Sequence, residues 1–327
     1  MTVSLLSQLF AFHAGGDDWK HYGWSKITTI VTSGLYDPEL LCHAHARNAR
    51  VVTEEEIGLG ELFDIRVQTA WIDNKLHKSR ERYLDGIHLR FGTVLDATVS
   101  AKVPSLIKEI KTKFTRSIPG SQISFYAPWN CNTSTTVCSN LVSASKYAHY
   151  VHVTSFDVQK HMWTDCFAKA NAPYHQAQTG IFSYIKNGIN SKKIILIVPW
   201  FGHDYTCIRL IEAGRCEIQK IAFEGAPCSN VGVTNIPYKD ILQLLPKSMT
   251  GRIWDDDLKA SYFVYKIGKV FHDVWYDDPE SISLRTTFLK KFKLGGIAMW
   301  NAEFVDYSSD PIAAMKTEEM WNALCPP

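Results

Sequence analysis

The sequence lacks the features that would assign it at once to a membrane, nucleic-acid-binding or disordered class. No run of about 18 apolar residues is present, so no membrane-spanning helix is expected. Its 35 Lys+Arg and 33 Asp+Glu give a net charge of +2, too little to predict nucleic acid or an anionic membrane as a partner. Low-complexity tracts and Pro/Gly-rich linkers are also missing, so no domain boundary is marked. The 46% hydrophobic content of the 327 residues predicts a folded protein with a large core.

Cysteine-based metal and redox motifs are missing as well. None of the eight cysteines forms a C-x-x-C pair, which argues against a zinc ribbon or a thioredoxin-type site. Two pairs that are close in sequence predict small loop-closing disulfides, Cys131 with Cys138 and Cys207 with Cys216. The pairing of the other four cysteines stays open.

An N-glycosylation acceptor, Asn132-Thr133-Ser134, lies beside the first cysteine pair. Together with the disulfides it favours an oxidising, secretory lineage over reduced structural thiols. The segment from Met1 to Ser7 has neither a basic region nor an apolar core, so we expect no signal peptide in this chain.

Short apolar, β-branched runs recur along the chain and alternate with longer amphipathic stretches such as Ile65–Tyr83 and Val103–Phe114. This alternation is typical of a buried parallel sheet, and eight strands close an α/β fold of the (β/α)8 TIM-barrel type. The predicted strands are Gln8–His13, Ile27–Val31, Arg50–Thr53, Gly86–Phe91, Gln122–Ala127, Tyr150–Thr154, Ile194–Pro199 and Gly296–Trp300.

The stretch between strands seven and eight is too long for one helix or an ordinary loop. It contains two β-like runs, Ala260–Tyr265 and Val270–Tyr276. We therefore predict a barrel formed by residues 1–205 and 286–327, with a small α+β insertion at 206–285 on the barrel wall.

Several short segments between Phe10 and Trp321 follow one another in an order that is specific as a set. They include Asp18-Trp19-Lys20, Asp85-Gly86-Ile87, Val198-Pro199-Trp200-Phe201-Gly202-His203, Glu224-Gly225-Ala226-Pro227-Cys228 and Met299-Trp300-Asn301-Ala302. In this order they resemble glycoside hydrolase family 18, and within it the chitobiase branch. The resemblance implies a barrel that hydrolyses N-acetylglucosamine-containing glycans, with the substrate's own acetamido oxygen as nucleophile. It also implies a secreted or lysosomal lineage.

The family's acid motif, D-G-x-x-x-D-x-E, falls on strand four and is incomplete here. Asp85 and Gly86 match it, but Arg90 replaces the Asp that orients the acetamido group, and Gly92 replaces the Glu that protonates the leaving oxygen. On strand six, Phe156 replaces the family's Tyr before a retained Asp157. Gly has no proton to donate, and an Arg cation opposes a developing positive charge. We therefore expect the ancestral hydrolysis to be lost.

Other carboxylates are weighed as substitutes for the missing acid. Asp96, Asp204 and Glu303 are the candidates near predicted strand ends, but none has the spacing of the family acid.

Several residues are still expected to line a ligand pocket. The resemblance places Trp300 as the aromatic platform beneath a sugar. Stacking of this kind can hold a glycan without any catalytic step. Asp85, Asp157 and Phe156 are further candidates, whereas Trp200 fits core packing as well as ligand contact.

A histidine set is the other unusual feature, because it falls where the family pattern has other residues. The set consists of His13, His88, His152 and His203. With Arg90 they form either a rebuilt pocket for an anionic ligand or a locally hydrogen-bonded remnant. No H-x-H or H-x-x-x-H pair orients them for a metal; His43 and His45 lie on a predicted helix, where positions two apart diverge. We expect neither a metal nor a cofactor.

Three functions remain open from the sequence. The expected one is a glycan-binding protein, lectin-like or with a repurposed pocket, that has lost hydrolysis. The alternatives are an active glycosidase that cleaves chitobiose ends, and a new enzyme that uses the His/Arg pocket. The expected partner is an N-acetylglucosamine-containing glycan or another small ligand.

Overall fold

A computed structural model of the chain describes residues 8–131, 134–156, 165–211, 215–221, 228 and 233–324. These residues form two compact units. One contains the described residues up to Thr154, with Thr179–Ile197 and Leu289–Met299. The other contains those within Ser155–Gln178, Val198–Phe288 and Trp300–Pro327.

The strands of the described residues belong to a barrel and to two smaller sheets. In chain order they are β1 (Gln8–His13), β2 (Thr29–Thr32), β3 (Arg50–Ile57), β4 (Gly86–Phe91), β5 (Gln122–Ala127), β6 (Tyr150–Thr154), β7 (Ile194–Pro199), β8 (Phe201–Thr206), β9 (Arg209–Leu210), β10 (Cys216–Glu217), β11 (Thr234–Pro237), β12 (Ile253–Asp255), β13 (Ala260–Ile267), β14 (Val270–Tyr276) and β15 (Gly296–Trp300).

The helices of the described residues separate most of the barrel strands. They are α1 (Pro38–His45), α2 (Leu59–Phe63), α3 (Ile65–Glu81), α4 (Ala97–Ser100), α5 (Val103–Ser117), α6 (Thr135–Ser145), α7 (Tyr174–Lys186), α8 (Tyr238–Leu244), α9 (Pro279–Phe292) and α10 (Pro311–Ala323). Short 3-10 turns cover Asp18–His21, Ser191–Lys193, Leu245–Lys247 and Ala302–Phe304.

Strands β1 to β7 and β15 close into a parallel barrel, in which β15 lies between β7 and β1. The predicted TIM barrel is confirmed. Its strands are apolar because both faces are covered, and all six residues of β7 are buried. Gly86, at the start of β4, is required by packing: a Cβ there would lie 1.9 Å from the carbonyl oxygen of Gln122.

The helices cover the barrel with amphipathic faces. In α5 the buried residues recur at helical spacing, and Val103, Ile107 and Phe114 are each fully buried. Among the described residues, no helix combines the length and the low polarity that crossing a bilayer requires.

Strands β8 and β11 to β14 form a five-stranded antiparallel sheet in the order β11-β8-β14-β13-β12. Strands β13 and β14 contain the two β-like runs predicted between strands seven and eight. A separate core beside this sheet contains Tyr205, Trp275 and four disulfide-bonded cysteines. The bounds predicted for an insertion, residues 206–285, stay a prediction.

Both predicted disulfides are present. The Cα atoms are 4.9 Å apart in Cys131–Cys138 and 5.2 Å apart in Cys207–Cys216. A third bridge, Cys166–Cys228, spans 62 residues and was not predicted, because nothing local in the sequence relates its cysteines. Cys42 is a free, exposed thiol.

Candidate functional site

The incomplete acid motif extends over the whole length of β4. Its first residue therefore lies at the N-terminal end of the barrel and its last at the C-terminal end. Asp85 precedes the strand, and its Oδ2 accepts a hydrogen bond from the Val51 amide at 2.7 Å. The same oxygen lies 2.9 Å from Nε2 of His45. Asp85 therefore holds neighbouring backbone at the N-terminal end of β4, and its assignment to the ligand pocket stays a prediction.

The other end of β4 carries the replaced positions. Arg90 lies near the C-terminal end of the strand and Gly92 follows it, on the face where barrel enzymes place their chemistry. Strand β3 runs alongside, in a register that pairs Glu54 with His88 and Glu56 with Arg90. Paired residues of neighbouring parallel strands share a face, so Glu54 and Glu56 point to the same side as Arg90.

Glu55, between these two acids, faces the other way. Its carboxylate forms an ion pair with Lys75 of α3, on the outside of the barrel. The three consecutive acids of β3 thus divide into two on the inner face and one against the helices.

Arg90 is bound by both inner-face carboxylates. Its Nη2 lies 2.5 Å from Glu56 Oε2, and its Nε lies 3.3 Å from Glu54 Oε1. The side chains of Arg90 and Glu56 are 45% and 50% exposed, whereas that of Glu54 is only 8% exposed. We call these three residues the Glu54–Arg90–Glu56 cluster.

Burial gives Glu54 unusual electrostatics. Desolvation raises the pKa of its carboxyl, and the neighbouring Arg90 charge offsets only part of that effect. Among the described residues, no donor reaches its second oxygen, Oε2. A buried carboxyl with one oxygen lacking a donor therefore lies beside Arg90.

The space beside Gly92 is already occupied. A Cβ placed on this residue would lie 2.4 Å from Oε1 of Glu56 and 2.8 Å from its Cδ. The carboxylate of Glu56 therefore lies against the backbone at the position from which the side chain of the family acid would extend.

A pair of histidines lies inside the barrel. His88 and His152 are fully buried, with their ring centroids 4.5 Å apart. Nδ1 of His88 contacts the Ser124 hydroxyl at 2.9 Å. Burial lowers the pKa of His88 to about 3 and that of His152 well below its ordinary value. Within the described part of the chain, neither ring nitrogen of His152 has a hydrogen-bond partner.

The other predicted pocket histidines have structural partners. Nδ1 of His13 lies 2.8 Å from the Tyr22 hydroxyl, and Nδ1 of His203 lies 3.2 Å from that of Tyr205. Burial lowers both pKa values, that of His203 to about 3. His88 and His203 are at most 1% exposed, and the His/Arg pocket stays a prediction.

The aromatic candidates separate into core and surface. Trp200 is fully buried and packs edge-on against Trp321 at 5.1 Å, which fits the core-packing alternative; its assignment to ligand contact stays a prediction. Phe156 is 5% exposed and packs against Phe201 at 5.3 Å. Trp300 is only half-buried, and its carbonyl oxygen accepts a hydrogen bond from the Trp200 amide at 2.8 Å.

The three carboxylates considered as substitutes for the acid are engaged elsewhere. Asp96 caps α4 by accepting from the amides of Thr98 and Val99. Asp204 accepts from the Tyr265 hydroxyl at 2.6 Å and lies 3.0 Å from Nδ1 of His272. Glu303 accepts from the side-chain amide of Asn301 at 3.1 Å.

The two acids beside Arg90, Glu54 and Glu56, were not predicted as site residues. The sequence signal was an alternation that continues from Val52 through Glu54 to Glu56 on one face of strand three. Two predicted residues, Asp157 and Asn132, lie outside the described residues. Among those described, no three His, Cys, Asp or Glu side chains are grouped so as to hold a metal ion.

Comparison with known proteins identifies the family and similar chains. Residues 66–304 match the family described as Glycosyl hydrolases family 18. The chain is 41% identical to human Di-N-acetylchitobiase and 40% identical to the mouse protein, over 98% of this chain in both cases and 84% and 88% of theirs. The fold also matches human YKL-39, described as a pseudo-chitinase with retained chitooligosaccharide binding properties, with a TM-score of 0.77 at 13% identity over 97% of this chain and 98% of that one. The chain therefore belongs to glycosyl hydrolase family 18.

Proposed function

We propose that this chain binds N-acetylglucosamine-containing glycans at the C-terminal face of its barrel and has lost the family's hydrolysis. The observation that carries the proposal is the occupied space beside Gly92. Gly92 has no side chain to donate a proton, and the carboxylate that fills its place binds a guanidinium. A carboxylate binds a guanidinium in its ionised form, whereas departure of the leaving group needs a protonated acid.

Two further replacements support the loss of hydrolysis. Arg90 places a cation where the family chemistry develops positive charge, and Phe156 has no hydroxyl to orient an acetamido group. Removal of a general acid alone lowers a rate about 10²–10⁴-fold. With the orienting groups changed as well, we expect no useful turnover.

Binding needs less than catalysis does. Trp300 is half-buried at the end of β15, and stacking of an indole ring on a pyranose needs no proton transfer. The retained chitooligosaccharide binding described for the pseudo-chitinase YKL-39 shows that a barrel of this fold binds such glycans without acting as a chitinase. We extend that behaviour to this chain as part of the proposal.

Calorimetric titration with chitobiose and chitotriose, together with an assay for released reducing sugar, tests the proposal. We expect saturable binding without release. Trp300→Ala should weaken binding about tenfold through lost stacking, while the matched change Trp71→Ala, on the outer helix α3, should leave it unchanged. Release at a rate normal for glycosidases, or no binding at all, would overturn the proposal.

A second candidate is a retained glycosidase, favoured by the 41% identity to human Di-N-acetylchitobiase. The acid would then be Glu54, because burial raises the pKa of this carboxyl beside Arg90. Cleavage that is abolished by Glu54→Gln and kept by Glu55→Gln would establish this function in place of the first.

We also propose an oxidising, secretory or lysosomal lineage. Three disulfides within the described residues support it, since such bridges are rare in reducing compartments. Non-reducing mass spectrometry of protein from the native source would show three intact bridges.

A further inference from the structure

The groups that would recognise an acetamido substituent are absent from the acid-motif positions. The family resemblance assigns that task to an Asp at position 90 and a Tyr at position 156, where this chain has Arg90 and Phe156. Neither the guanidinium, which both carboxylates engage, nor a phenyl ring replaces those contacts. A sugar bound here therefore lacks the partners that select an N-acetyl group.

Two carboxylates lie beside Arg90. In the Glu54–Arg90–Glu56 cluster, two carboxylates share one guanidinium at 3.3 and 2.5 Å, which leaves an excess of one negative charge when both acids are ionised. That excess disfavours an anionic or sulfated ligand, the anionic class considered from the sequence. It favours a cation that approaches from the barrel mouth.

The cluster is also incomplete as a hydrogen-bond network. The side chain of Glu54 is more than nine-tenths buried, and no donor among the described residues reaches its Oε2. A buried carboxylate oxygen without a donor is costly, so a group that donates hydrogen bonds and carries positive charge would stabilise it. Glu56 is half exposed and offers the second carboxylate to the same group.

We propose that the Glu54–Arg90–Glu56 cluster binds the ammonium group of a free, de-N-acetylated glucosamine unit, so that the preferred ligand is a partly deacetylated chito-oligosaccharide. This inference rests on the proposed function, because it requires that the C-terminal face of the barrel binds a sugar. An ammonium has three donors, balances the cluster's excess of one negative charge and is small enough to lie beside a glycosidic ring.

The test is calorimetric titration at about pH 6, where such an amine is protonated. The two probes are chitobiose and the disaccharide of free glucosamine, which differ only at the nitrogen. We expect the amine disaccharide to bind at least tenfold more tightly to the unaltered chain. Higher salt should weaken amine binding and leave chitobiose binding nearly unchanged, since only the former depends on charge.

Variants of β3 assign the preference to named carboxylates. Glu54→Gln and Glu56→Gln should each reduce affinity for the amine disaccharide about tenfold, with circular dichroism confirming the fold. Glu55→Gln is the matched control, because Glu55 lies on the same strand but pairs with Lys75 on the other face. The comparison of the two disaccharides on the unaltered chain needs no variant and stands even where a variant fails to fold.

The outcomes separate this inference from the function on which it rests. Binding of neither disaccharide would overturn both. Equal affinities, or an amine preference that survives Glu54→Gln and Glu56→Gln, would overturn only the amine assignment. A preference that disappears in both variants and persists in Glu55→Gln would establish it.

Discussion

Glu56 lies where a side chain at position 92 would begin: a Cβ on Gly92 would come within 2.4 Å of Glu56 Oε1. The same carboxylate is bound at 2.5 Å by Arg90. Gly92 and the carboxylate on the neighbouring strand therefore form one structural arrangement. We expect that a Gly92→Glu change alone does not restore hydrolysis.

Reactivation of hydrolysis tests this coupling. Arg90→Asp with Gly92→Glu would bring four carboxylates together, with Glu54 and Glu56, and no cation, so we expect a poorly folded or inert protein. Adding Glu56→Ala opens the space and removes one charge. The triple variant should release reducing sugar from chitotriose at least tenfold faster than the double variant.

The matched control for reactivation is Glu55→Ala in place of Glu56→Ala, since Glu55 faces Lys75. Equal rates in the two triple variants would show that Glu56 does not obstruct the acid position.

Acid should destabilise the fold through its buried histidines. Burial lowers the pKa of His203 to about 3, against about 6.5 in the unfolded chain, so its stabilising contribution is full above pH 6.5 and declines as pH falls. The loss is about 1.4 kcal/mol per pH unit, or roughly 2 kcal/mol at pH 5. His203→Gln should remove the part of this pH dependence that His203 contributes, measured by urea unfolding at pH 7.5 and pH 5. The exposed His77→Gln should leave it intact.

Asp273 has the opposite pH dependence. Its side chain is buried, with the Trp275 indole donating to Oδ2 at 3.2 Å, and burial raises its pKa from 3.8 to about 7. A raised pKa stabilises the fold below pH 3.8, and that contribution is lost as pH rises to about 7. As the pH rises from 5 to 8, the free energy of unfolding of Asp273→Asn should therefore increase by about 2–3 kcal/mol relative to that of the unaltered chain.

Urea unfolding at both pH values checks the Asp273 prediction, with Asp17→Asn, an exposed acid, as control. An unchanged difference between Asp273→Asn and the unaltered chain at the two pH values would contradict the assignment of a raised pKa.

The buried pair of Asp277 and Arg285 should dominate the stability of its surroundings. Nη1 of Arg285 lies 2.9 Å from Asp277 Oδ1, both side chains are at most 2% exposed, and Arg285 also donates to the carbonyl of Ala172. Arg285→Met leaves a buried carboxylate unpaired and should cost about 3–5 kcal/mol. Lys113→Met breaks a more exposed pair, with Asp73, and should cost less than about 1 kcal/mol in the same urea titration.

The barrel was predictable because its signal is local. Strands such as Ile194–Pro199 are continuous apolar runs, and their bounds agree with the prediction. Strand three was predicted to end at Thr53. Three consecutive acids follow it, which is typical of a solvated segment, but the strand continues to Ile57. Tertiary pairing with β4 extends the strand, and the alternation of its faces separates Glu54 and Glu56 from Glu55.

The site was only partly predictable from the sequence. The absence of an acidic side chain at position 92 can be read from the sequence alone. The carboxylate that lies against Gly92 comes from another strand, so its place depends on three-dimensional register. Asp85 matches the motif yet lies at the far end of β4, and Trp200 is fully buried. A motif records neighbours along one strand, whereas burial and cross-strand contacts depend on the whole barrel.

Positions 56 and 90 face each other across adjoining strands, so their charges are expected to change together in evolution. Among related sequences, a basic residue at position 90 should occur with an acid at position 54 or 56, and an acid at position 90 with neutral residues there. Such covariation would mean that β3 and β4 evolve as one unit. A protein in which the charges at positions 54, 56 and 90 had changed together would regain hydrolysis only through several simultaneous substitutions.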